Sequence, residues 1–134
     1  MQTTILAALA FPVIFLLDLL WIGLLAHSFY REQMGNLLSP SVVWPAALAF
    51  YIIFCFALAY FAVAPALEAR SLLKAMLLGG FLGLAVYASY DFTNWATLTN
   101  WPGIVSIVDL MWGVVVSALA AGGSYLLAIK FFAM

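Results

Sequence analysis

The stretch PGIVSIVDLMWGVVVSALAAGGSYLLAI, residues 102–129, sets the fold class. It runs for 28 residues with a single charged side chain, Asp109. About 20 apolar residues, each rising ~1.5 Å in a helix, cross the ~30 Å hydrocarbon layer of a bilayer. This stretch has that length and does not alternate with the two-residue period of a membrane β-strand. Backbone groups in lipid must bond within their own segment or around a closed barrel, so the stretch reads as a transmembrane helix.

Three more stretches read the same way, from about Thr4 to His27, Val42 to Ala64 and Leu72 to Trp95. The expected fold is therefore all-α: an integral membrane four-helix up-down bundle, with residues 1–134 forming one transmembrane domain. The connections fit this reading. Arg31–Asn36 reads as a polar loop, and Ser39-Pro40-Ser41 as the entry to the second helix, with Ser39 or Ser41 as its cap and Pro45 in its first turn. Residues 65–70 read as a short turn. Residues 99–103 read as another, with Asn100 as a cap and Pro102 at the helix start. Short connections make consecutive helices antiparallel neighbours. Pro12 falls inside the first span and should kink it. Gly79, Gly80, Gly83, Gly113, Gly122 and Gly123 should let the third and fourth helices approach closely.

Composition agrees with a bilayer setting. The chain has 134 residues, of which 69% are hydrophobic and 7% charged, with a mean hydropathy of +1.21. Soluble domains carry about 25% charged residues. The net charge of −1 and the lack of a basic patch argue against a nucleic-acid partner. Cys55 is the one cysteine, so no internal disulfide forms, and no Cys/His spacing suggests a metal site. The first 26 residues have no basic n-region and are interrupted by Asp18, so they read as a retained helix and not a cleaved signal. Arg70, Lys74 and Lys130 fall on one side of the expected topology and Arg31 on the other. Both termini are thus expected in the cytoplasm.

Three acids lie in apolar surroundings: Asp18, Asp91 and Asp109. A carboxylate at the middle of a membrane helix costs roughly 2.5–3.5 kcal/mol even on a lenient insertion scale. Helical rise puts Asp18 about 21 Å above the inner face and Asp109 about 10 Å below the outer one, nearly the same level. Asp91 belongs a turn or two higher on the third helix. Three acids from three helices should therefore converge in the outer half of the bundle. Asp18 and Trp21 share a helix face, and Asp109 and Trp112 repeat that spacing. Tyr87, Asp91 and Asn94 form one stripe, and Tyr90 and Asn94 an adjoining one. The candidate ligand-binding set is Asp18, Trp21, Tyr87, Tyr90, Asp91, Asn94, Asp109 and Trp112, in which indoles, phenols and an amide supply donors to the acids. Trp44 and Trp101 read as interfacial anchors, a role open to Trp95 and Tyr30 as well. His27 reads as a solvated side chain at the end of the first helix.

The phrases Asp18-Leu19-Leu20-Trp21-Ile22-Gly23, Phe29-Tyr30-Arg31, Trp44-Pro45-Ala46-Ala47, Tyr90-Asp91-Phe92-Thr93-Asn94 and Asp109-Leu110-Met111-Trp112-Gly113 resemble the membrane-protein family DUF2177 over nearly the whole chain. The resemblance implies a small bacterial inner-membrane protein of four helices, and it implies no particular activity or cofactor. It marks Asp18, Trp21, Asp91, Asn94, Asp109 and Trp112 as motif positions.

Two functions stay open. In one, an acidic and aromatic pocket in the outer leaflet binds a small amphipathic, lipid-like or cationic ligand, with Asn94 orienting it. In the other, the chain is a non-catalytic accessory or assembly subunit of a larger membrane complex, and the acids are hydrogen-bonding ties between helices. An enzyme reading lacks a nucleophile–base pair, a metal cluster or a phosphate loop. A carrier of four helices would need a homodimer to enclose a path.

Overall fold

A computed structural model describes residues 1–133. The described chain is all helical between its turns. Helix α1 is Gln2–Leu20, α2 His27–Met34, α3 Trp44–Leu58, α4 Ala64–Glu68, α5 Leu72–Thr97 and α6 Gly103–Phe132. A wide π-turn at Trp21–Leu25 prolongs α1, and another at Ala59–Val63 joins α3 to α4. Four continuous spans result: Gln2–Leu25, Trp44–Glu68, Leu72–Thr97 and Gly103–Phe132, each long and apolar enough to cross a bilayer. The chain is an all-α membrane bundle.

Each buried face is a stripe with a spacing of four residues, the ridge that helices use to pack. On α1 the stripe is Leu6, Ala10, Ile14 and Asp18, all buried. On α5 it is Ala75, Gly79 and Gly83, then Tyr87 and Asp91. On α6 one stripe, Gly113, Ser117 and Ala121, faces α5, and another, Trp112, Val116, Ala120 and Ser124, faces the rest of the core. The Ser124 hydroxyl donates to the Leu6 carbonyl oxygen at 2.9 Å, tying α6 to α1.

The α5–α6 contact is close because glycine permits it. A Cβ placed on Gly79 would lie 2.6 Å from the Ala121 methyl and 2.7 Å from the Ser117 carbonyl oxygen. A Cβ on Gly83 would overlap the Gly113 carbonyl, and one on Gly113 would enter the Tyr87 ring. Without a hydrophobic force between helices in lipid, such close packing supplies the attraction.

Several local expectations need correction. Arg31–Met34 is helix and not loop: after the π-turn the chain breaks at Ala26 (φ −114°, ψ 7°) and restarts as α2, which ends at Gly35 with φ 47°. The start of α3 has Val43 at its cap position and no side-chain cap, while the Ser39 hydroxyl turns to the Ser41 carbonyl oxygen at 2.6 Å. Pro45 does sit in the first turn of that helix. The cap position of α6 is held by Pro102, and Asn100 takes a left-handed turn with φ 62°. Ser71 caps α5 by accepting from the Lys74 backbone N–H at 3.1 Å. Trp101 is not an interfacial anchor. It is 9% exposed and its indole N–H donates to the buried Ser106 hydroxyl at 2.9 Å.

Candidate functional site

The stripes that pack the core continue directly into acids. One step of four residues beyond Ile14 is Asp18, and two beyond Gly83 is Asp91. A position that faces the core in the lower part of a straight helix faces it again above, so these acids turn inward.

Asp18 is bonded on both oxygens. Its Oδ2 accepts from the Tyr51 hydroxyl at 2.7 Å, and its Oδ1 from the Trp112 indole N–H at 2.8 Å. One carboxylate thus joins α1, α3 and α6. Asp109 is held differently: its Oδ1 accepts from the Tyr30 hydroxyl, which itself accepts from the Trp21 indole N–H at 3.2 Å. The Trp21 and Trp112 rings lie parallel, 4.5 Å between centroids and 6° between planes. This stack connects the Asp18 group to the Asp109 group.

Asp91 is fully buried, and neither of its carboxyl oxygens has a hydrogen-bond donor. The contacts of Gly79 with Ser117 and Ala121, and of Tyr87 with Gly113, run α5 and α6 antiparallel, and this register sets Asp91 opposite Asp109. Its backbone carbonyl accepts from the Ser106 hydroxyl at 3.1 Å, which continues the Trp101–Ser106 chain. Asp18 and Asp109 border one cleft, and the side chains bonded to them, Tyr51, Trp112 and Tyr30, are all neutral.

Beside Asp18 and Asp109 opens a cleft of about 740 Å³. Asp18, Asp109, Trp21, Trp112, Tyr51 and Tyr87 line it, and Ile22, Leu38, Val42 and Phe50 add apolar lining. His27, Tyr30 and Arg31 of α2 line the remaining side. Ligand sites have this size and this mixture of apolar wall and few polar groups. Tyr30 stands outside the spans, and burial first, then the Asp109 hydrogen bond, push its phenol above the usual tyrosine range, while the Trp21 hydrogen bond pulls the other way.

Five residues of the expected set line the cleft: Asp18, Trp21, Tyr87, Asp109 and Trp112. Asp91 lies behind Asp109. Tyr90 is exposed and meets the Trp101 ring edge-on at 6.0 Å, and Asn94, one turn further along α5, stands outside the cleft as well. The sequence reading missed Tyr51, Tyr30, Arg31 and His27. Tyr51 carried a usable signal, since a phenol hydroxyl well inside an apolar span needs a partner. Tyr30, His27 and Arg31 reach the cleft because α2 is a helix laid back over it.

Among the described residues no three His, Cys, Asp or Glu side chains come together to hold a metal ion. A family model described as a predicted membrane protein (DUF2177) matches residues 3–126. No curated protein and no solved structure matches the chain.

Proposed function

The chain belongs to the DUF2177 family of predicted membrane proteins, and we propose that it binds a small amphipathic ligand in the cleft above Asp18 and Asp109. One observation carries the reading: the cleft of about 740 Å³ is lined together by two acids, the stacked Trp21 and Trp112 indoles and an apolar set of side chains. A cationic or donor-rich head group meets the acids, where each carboxylate oxygen keeps a second lone pair. An aliphatic tail runs along Ile22, Leu38, Val42 and Phe50. Arg31 and His27 face the outer end of such a ligand. In this reading the protein resides in a bacterial inner membrane with both termini in the cytoplasm, so the cleft opens in the outer leaflet, as the excess of Arg70, Lys74 and Lys130 on the terminal side favours.

The test is native mass spectrometry of protein extracted gently from its own membrane, comparing wild type with Asp18→Asn. The expected result is a small mass retained by wild type and lost from the variant. A wild type that carries no small mass would count against the ligand.

One observation favours a second reading, that of an accessory subunit: both oxygens of Asp18 are already bonded, by Tyr51 and Trp112. In that reading the acids are ties between helices. Other chains retained in both samples, with no small ligand in either, would support it.

A further inference from the structure

Asp91 presents a problem that the cleft does not solve. Its side chain is fully buried, both its oxygens lack a donor, and the antiparallel register of α5 and α6 sets it opposite another carboxyl, that of Asp109. The titratable groups that face the pair are Asp18, Tyr30, Tyr87 and Tyr90. None of them carries a positive charge. Asp91 is fully buried and Asp109 is half-buried at the cleft wall, and two carboxylates placed together repel each other and call for a positive partner. His27 and Arg31 border the cleft beside Asp109, yet both Asp91 oxygens stay without a partner, so the chain's own cationic side chains do not supply the charge that Asp91 lacks.

We propose that Asp91 and Asp109 hold one monovalent cation between them, either a proton or a sodium-sized metal ion. A divalent ion is a poor fit, because calcium takes about six to eight oxygen ligands and magnesium about six in an octahedron. Here the donors are two carboxyls and the Tyr30 hydroxyl, which reaches Asp109 from the other side. A proton needs only the two facing carboxyl oxygens. A sodium-sized ion takes the same oxygens together with water. The site also has a consequence for the cleft. Asp109 bonds through Tyr30 to Trp21, and all three line the cleft. A cation that changes how Asp109 holds Tyr30 alters the wall against which any cleft ligand rests, and the influence runs equally in both directions.

The experiment uses the whole chain in nanodiscs. Infrared spectra with isotope-labelled aspartate at neutral pH report whether a carboxyl is protonated. Thermal unfolding in sodium chloride against choline chloride reports whether sodium binds the folded state, since such binding raises the midpoint. A protonated-carboxyl band lost in Asp91→Asn or Asp109→Asn identifies the proton. A midpoint several degrees higher in sodium, with that rise lost in either variant, identifies the metal ion. A wild type with neither signal overturns the proposal, and so does a band lost only in Asp18→Asn. Where an asparagine variant fails to fold, Asp91→Glu, which keeps a carboxyl but removes the labelled aspartate, makes the same assignment. Ligand loss in Asp18→Asn is a separate measurement, so a failure of the cation site is told apart from a failure of the cleft ligand.

Discussion

Along α5, Gly79 and Gly83 press against α6 with no room for a larger side chain, and over the next two turns the same stripe carries Tyr87 and Asp91. Along α1, Leu6, Ala10 and Ile14 lead to Asp18 in the same manner. The half of the bundle that holds the termini is packed with small and aliphatic side chains and draws α5 and α6 into close contact. The other half places phenols, indoles and carboxylates on the same ridges and opens into a cleft. Small residues let backbones touch, whereas large polar ones hold them apart and need partners. One packing pattern thus serves both ends, and side-chain size and polarity decide whether a ridge seals or opens.

This contrast is most open to challenge at the closed end. Gly79→Leu forces atoms into the Ala121 methyl and the Ser117 carbonyl, and overpacking of this kind costs about 3 kcal/mol or more where backbone must move. Gly23 stands in open space, and a Cβ added there would meet nothing within 4 Å. Gly23→Ala should therefore change stability by less than about 0.5 kcal/mol. Reversible unfolding in mixed micelles measures both. Equal effects at the two glycines would remove the distinction between a sealed and an open half.

A smaller effect is expected at the acid layer. Tyr51→Phe removes one of the two donors to Asp18, and hydrogen bonds between membrane helices are worth about 0.6–1.7 kcal/mol. The same unfolding assay should show a loss in that range, with Trp112 still holding Asp18. A loss as large as that of Gly79→Leu would mean that the open half carries as much of the fold as the sealed one.

The smallest effect belongs to Tyr30. Its phenol ionises above the usual value because burial and Asp109 disfavour the phenolate. A folded-state value raised above the unfolded one contributes stability that is full below the unfolded value, about 10 for tyrosine. That stability is lost as pH rises through the folded value. In an ultraviolet titration, wild type minus Tyr30→Phe should show no phenolate at pH about 10, where a free tyrosine is half ionised. A Tyr30 phenolate at the ordinary value would mean that α2 is not held against the bundle.

The four spans were legible because length and apolarity suffice for a membrane helix, and the level of Asp18 and Asp109 followed from rise alone. Trp21 and Trp112 followed from their spacing to those acids. Tyr30 was not legible, since its place depends on a break at Ala26 and a second helix that folds back, and neither leaves a hydropathy signal. Trp101 read as an anchor because aromatic residues near span ends usually are. Its burial depends on Ser106 and Asp91, which belong to α6 and α5. Local periodicity tells which way a side chain points. What it meets is decided by segments remote in sequence.

The wide turn at Ala59–Val63 has a consequence in simple counting. A π-turn holds one residue more than the α-helical turn it replaces, and each residue of an α-helix advances the chain by about 100° of rotation. Deleting one residue between Ala59 and Val63 would close the wide turn to an ordinary one and leave Ala64 onward facing as it does now relative to Tyr51. The same surplus residue kept in regular α-helix would swing Ala64 onward by about a quarter turn. The wide turn therefore absorbs the extra residue where it stands, so that one span presents Tyr51 to Asp18 at one end and Ala66 to the core at the other.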